Sequence, residues 1–142
     1  MIESNRTVSE VLESYVPYDG PHTPGSVVEA ARAVAHLVRY LNNATQHEAP
    51  VRYAVTVHEV LGGIGGALHG LDQLLQQLGS ALRRHDSTLY DDRHDRPGGS
   101  TAEEAADKLI ELRLALAAAA RTMDATRGLT SHLGNDGGED GE

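Results

Sequence analysis

Residues 54 to 82 constrain the fold of this chain more than any other stretch. Ala54, Val57, Leu61, Ile64, Leu68, Leu71, Leu75, Leu78 and Leu82 follow one another in alternating steps of three and four. A strand repeats every second residue and cannot produce this spacing, whereas one face of an α-helix does. The pattern predicts a helix over 51–84, opened by Pro50 and closed by Arg83, Arg84 and His85, cations that suit the negative end of a helix dipole. At 1.5 Å per residue such a helix is about 50 Å long, too long for its sequence neighbour to cover completely.

Three further helical segments are legible. Thr7 and Glu10 form a capping box ahead of Val8, Val11, Leu12 and Tyr15, which predicts a short helix over 8–15. The stretch "VPYDGPHTPG" interrupts it. A helix over 25–46 then carries Val27, Ala31, Val34, Val38 and Leu41 at the same spacing; it starts at Ser26 with Glu29, or one turn earlier with Pro24 in the first turn. After the polar loop "DSTLYDDRHDRPGG", Thr101 and Glu104 cap a helix over 101–127. Its seam is Ala105, Leu109, Leu112, Leu116, Ala119 and Met123, with a possible extension to Leu133. The tail, 134–142, is acidic and glycine-rich, has nothing to bury and is expected to be disordered. The expectation is an all-α domain over 1–133: an elongated antiparallel three-helix bundle with a short extra N-terminal helix.

"VLGGIGGALHG", residues 60–70, complicates the long helix with five glycines in eleven positions. A phosphate-binding loop would need a strand before it and a Gly-Lys-Ser/Thr sequence, and neither is present. A dinucleotide fingerprint would need glycine where Leu68 stands. Inside a helix each glycine costs about 0.8–1 kcal/mol relative to alanine, so five cost about 4–5 kcal/mol. Three explanations stay open: close helix packing, a hinge, or a ligand groove. Gly62, Gly66 and Gly70 are four apart and form a shallow stripe. If the helices on either side of the loop fold back about residue 93, position 66 lies opposite 120, and Ala117 to Ala120 face the glycines. Gly62, Gly66, Gly70, Ala117 and Ala120 are therefore the expected helix-packing residues. Leu75, Leu78 and Leu82 lie beyond the reach of the 25–46 helix; the N-terminal segment or a second copy of the chain is expected to cover them.

Composition removes several kinds of chemistry. The chain of 142 residues has no cysteine, hence no disulfide, thiolate nucleophile or cysteine-held metal. With formal net charge -9 and scattered arginines, nucleic acid and anionic membrane are poor partners. No apolar run reaches the roughly 18 residues of a membrane span, and the first ten residues lack signal-peptide character. A cytoplasmic location is the expectation. The two "HE" pairs, at His47 and His58, lack the second histidine of a zinc-protease motif. His69 with Asp72, and the loop cluster Asp91, Asp92, His94 and Asp95, are the metal-ligand candidates, although Arg93 and Arg96 compete for the loop carboxylates. No catalytic residue and no cofactor are expected.

The stretches "DGPHTP", "VRYLNNAT", "GALHGLDQLLQQL" and "LYDDR" resemble uncharacterised small helical proteins of high-GC Gram-positive bacteria. Some members of that group occur near conjugative or other mobile elements. The resemblance implies an all-helical fold and no particular activity. Secreted helical hairpins of type VII systems are similar in size, but the chain lacks their Trp-x-Gly turn and their tail signal. Three functions follow in order: a non-enzymatic interaction protein binding itself or another helical protein; a small-ligand or metal-binding regulatory module; and a nucleic-acid-associated regulator of a mobile element.

Overall fold

A computed structural model describes residues 6–93 and 95–135 of the chain. All regular structure among them is helical. The elements are α1 (Val8–Tyr15), α2 (Pro24–Ala44), α3 (Ala54–Arg84) and α4 (Gly98–Thr130), with short 3-10 turns at Ala49–Val51 and Asp86–Thr88. The chain divides into two compact units, Met1–Pro50 and Val51–Glu142, where the sequence suggests one domain over 1–133.

In the first unit, α1 begins as its capping box predicts. Thr7 Oγ1 accepts from the Glu10 N–H, and the Glu10 carboxylate accepts from the Thr7 N–H at 2.6 Å. The start of α2 takes the earlier of its two expected positions. Thr23 is the cap, Pro24 fills the first turn, and Ser26 closes the box. Of the expected α2 seam, Leu41 is half-buried, while Val27, Ala31, Val34 and Val38 are exposed.

The second unit is a helical hairpin. Helix α3 runs unbroken through all the glycines of 62–70, so the hinge reading does not hold. Helix α4 packs along it in the opposite direction. Position 79 lies against Ala106 and Leu109, position 65 against Met123, and position 62 against Arg127. His58 Nδ1 lies 2.9 Å from Thr130 Oγ1 at the far end. This register is displaced by about two residues from the expected pairing of 66 with 120.

Both helix starts in this unit differ from expectation for a local reason. Helix α4 begins at Gly98, three residues before Thr101, with Pro97 in the extended cap position; the Thr101 hydroxyl, inside the first turn, donates to Asp91 instead. Gly98 is required here: a Cβ would overlap the Leu89 carbonyl. Helix α3 begins at Ala54 after a 3-10 turn, and its cap residue Tyr53 offers no side-chain acceptor. Asn135 supplies one from 81 residues away. Its Oδ1 accepts from the Ala54 N–H at 2.7 Å, and its Nδ2 donates to the Arg52 carbonyl at 3.2 Å. Expected disorder from 134 onward is thus corrected for Asn135; residues 136–142 lie outside the described residues.

Candidate functional site

The hairpin has a seam, a polar flank and an apolar flank, and their positions follow from a seven-residue repeat. The stripe of α3 nearest α4 is His58, Gly65, Asp72 and Gly79. The facing stripe of α4 is Ala106, Arg113, Ala120 and Arg127, flanked by Ala102, Leu109, Leu116, Met123 and Thr130. Small residues meet at one level and polar residues at the next. Gly79 meets Ala106; Asp72 meets Arg113; Gly65 lies under Met123. Among the described residues the buried apolar side chains are Ala102, Ala106 and Ala120, and Gly65 and Gly79 are the buried positions of α3. Small side chains at these positions let the two helices approach closely, but they bury little apolar area.

The close-packing idea therefore holds at other residues than expected. A Cβ on Gly66 or Gly70 would meet nothing within 4 Å, so neither is a packing residue. Gly62 faces the Arg127 guanidinium rather than an alanine. Ala120 is buried in the seam as expected, and Ala117 is half-buried beside it. The reason is rotation. Leucines at 61, 68, 75 and 82 draw the α3 contact toward 65 and 79, on the side away from 66 and 70. On α4, Leu109, Leu116 and Met123 turn inward, but Ala105, Leu112 and Ala119 do not. Arg113 and Arg127 take the inward places instead. Arg113 is acceptable there because Nε and Nη2 donate to the two Asp72 oxygens at 2.9 and 3.1 Å. The Nε of Arg127 is buried without a hydrogen-bond partner.

The polar flank holds the charge pairs. Arg83 donates to Glu103 at 3.0 Å and to Asp107 at 2.8 Å. His69 Nε2 lies 3.1 Å from Asp124 Oδ2. These pairs are solvent-facing and contribute little each. They also bear on the first metal candidate. Asp72 serves Arg113 and His69 serves Asp124, so the expected His69–Asp72 partnership does not form.

In the loop candidate, Asp91 is likewise engaged by protein groups. Asp91 accepts from the Arg93 guanidinium at 2.6 and 2.8 Å, from the Arg93 N–H, and from the Thr101 hydroxyl. The Arg93 guanidinium, then the Thr101 hydroxyl, hold its carboxyl well below the usual range. Asp91 ties the loop to the first turn of α4; Asp92 and Asp95 are exposed, and His94 lies outside the described residues. Among the described residues no three His, Asp or Glu side chains come together to hold a metal.

What remains is the other flank. Val57, Ile64, Leu71 and Leu78 of α3 lie on the same side as Ala105, Leu112 and Ala119 of α4, opposite the charge pairs. Ile64 is 37%, Leu78 44% and Leu112 46% exposed. At the loop end this flank opens into a groove lined by Leu78, Ala81, Leu82, His85, Leu89 and Leu109. Of the three leucines expected to need cover, Leu75 and Leu82 are half-buried and Leu78 is exposed. Leu75 lines a crevice with Ala106 and Leu109.

No protein family, curated protein or solved structure matches the chain. No helix among the described residues is long and apolar enough to cross a membrane.

Proposed function

We propose that the protein is a non-enzymatic interaction module that works through the apolar flank of the α3–α4 hairpin. One observation carries this reading. Two helices of 31 and 33 residues bury only three alanine side chains, while Ile64, Leu78 and Leu112 line up, each more than a third exposed, along one flank. A long hairpin whose seam is mostly glycine, alanine and ion pairs gains little hydrophobic free energy from its own contact, at about 25 cal/mol per Å² of apolar area. Such a structure needs a further helical surface to complete its core. An elongated three-helix bundle would be one way to supply it; another helical protein is the other.

The metal or small-ligand reading ranks lower because His69, Asp72 and Asp91 each have a protein partner. Nucleic-acid binding ranks lower still. Arg32, Arg83, Arg93, Arg96 and Arg113 are each paired with carboxylates in a chain of net charge -9.

Site-specific photo-cross-linking in cells tests the proposal. A photoreactive residue at Leu112 is expected to form a discrete protein adduct, and the same residue at Leu114, which is 69% exposed outside the flank, is not. Equal yields at both sites, or none at Leu112, would refute it.

A further inference from the structure

We infer that the occupant of the apolar flank is a second copy of this chain, so that two hairpins close into an antiparallel four-helix bundle. This rests on the interaction reading above and names its partner. Three features of the flank support it.

The first is size. Helix α3 has 31 residues and is about 46 Å long. With neighbouring helix axes about 9 Å apart, a two-helix face is roughly 18 Å wide, or about 800 Å² in area. That is about what each partner contributes to a stable, specific interface. Two such faces about a two-fold axis cover one another, and the contact closes on itself without leaving a second copy of the flank open.

The second is volume. The α3 side of the flank is uniformly large, with Ile64, Leu71 and Leu78. The α4 side alternates, with Ala105, Leu112 and Ala119. Like against like would crowd the two α3 helices and leave voids between the two α4 helices. A two-fold axis running along the bundle avoids both, because it sets α3 of each copy on α4 of the other. Ala105 and Ala119 of each copy then lie against the large α3 row of the other, and every neighbouring pair of helices is antiparallel.

The third is charge. The chain carries net charge -9, and two copies repel unless they meet on a neutral surface. No charged residue occupies the six positions just named. The carboxylates Glu103, Asp107 and Asp124 all sit on the opposite flank, matched with Arg83 and His69. The neutral side of the hairpin is also its apolar side, so a second copy meets hydrocarbon without a like-charge penalty.

Sedimentation equilibrium on the full chain over a wide concentration range tests this, with dye binding by an anilinonaphthalene sulfonate as a second readout. The expected result is a particle of twice the 15.2 kDa chain mass. Leu112→Glu enters the interface twice, so it is expected to weaken the dimer by at least about 30-fold, the loss that follows from removing one interface hot spot. Leu114→Glu should leave the dimer within about threefold, and circular dichroism should show both variants helical. If Leu112→Glu loses helicity instead, Ala119→Glu takes its place with the same expectation. A dimer insensitive to the flank substitutions overturns the inference. So does a monomer at all concentrations, and the dye then separates two cases. Strong dye binding by a monomer refutes only the second copy and leaves a foreign helical partner. A monomer without dye binding means that the chain covers its own flank, and this refutes the interaction reading as well.

Discussion

At the scale of single residues, the glycines of this chain divide into those the structure uses and those it does not. Gly66 and Gly70 sit mid-helix with open space where a Cβ would go. Replacing either with alanine removes backbone freedom from the unfolded chain and displaces nothing. Each substitution is expected to stabilise the protein by about 0.8–1 kcal/mol in denaturant titration. A loss instead would mean that another backbone approaches that stripe. Gly98 behaves oppositely. Its missing side chain leaves room for the Leu89 carbonyl, and Gly98→Ala is expected to cost about 1–3 kcal/mol through overpacking of the hairpin turn. Arg127 is a third case. Its guanidinium lies on Gly62 with Nε unpaired, so Arg127→Met is expected to be neutral or stabilising, as replacing an unsatisfied polar group with an apolar one of similar length often is.

At the scale of elements, both ends of the hairpin are closed by side chains distant from the helix starts they serve. Asn135 caps α3 where Tyr53 cannot. Asn135→Ala is expected to cost about 1 kcal/mol and to speed amide exchange in the first turn of α3 while leaving its middle protected. Asp91 joins the loop to α4, and Asp72 joins the seam to Arg113. Both carboxyls are held below their ordinary values, Asp91 chiefly by Arg93 and Asp72 chiefly by its hydrogen bond from Arg113. A carboxyl lowered on folding contributes stability that is fully present above its unfolded value near 4 and is lost as pH falls through its folded value. Thermal midpoints should therefore stay level from neutral pH to about 5 and then fall steadily with further acid. In the double variant Asp72→Asn, Asp91→Asn the neutral midpoint should be lower and this acid slope shallower. An unchanged slope would show that these two pairs do not govern the response to acid.

At the scale of the molecule, assembly and folding should be coupled. A hairpin that completes its core with a second copy has a thermal midpoint that rises with protein concentration, and Leu112→Glu should flatten that dependence. A wild-type midpoint independent of concentration over a hundredfold range would contradict the coupling. The same contrast between local and distant determinants marks what could be read in advance. The helices were legible from residue spacing and caps, because hydrogen bonding within a helix depends on residues three and four apart. Thr7–Glu10, Pro24 and the 54–82 repeat placed their elements closely, and a polar loop between two apolar runs implied the antiparallel hairpin. The facing stripes were not legible. A helix with leucine, valine or glycine over most of its surface has no unique inward direction, so the choice of Gly65 and Gly79 over Gly66 and Gly70 belonged to the contact with α4. The inward turn of Arg113 depended on Asp72, 41 positions earlier, and Asp91 of the loop was engaged by Arg93 in the same way. Local spacing determined by itself where the helices run. Only the tertiary structure decided which side of each faces its neighbour, because that choice is a balance of pairwise fits between residues far apart in the chain.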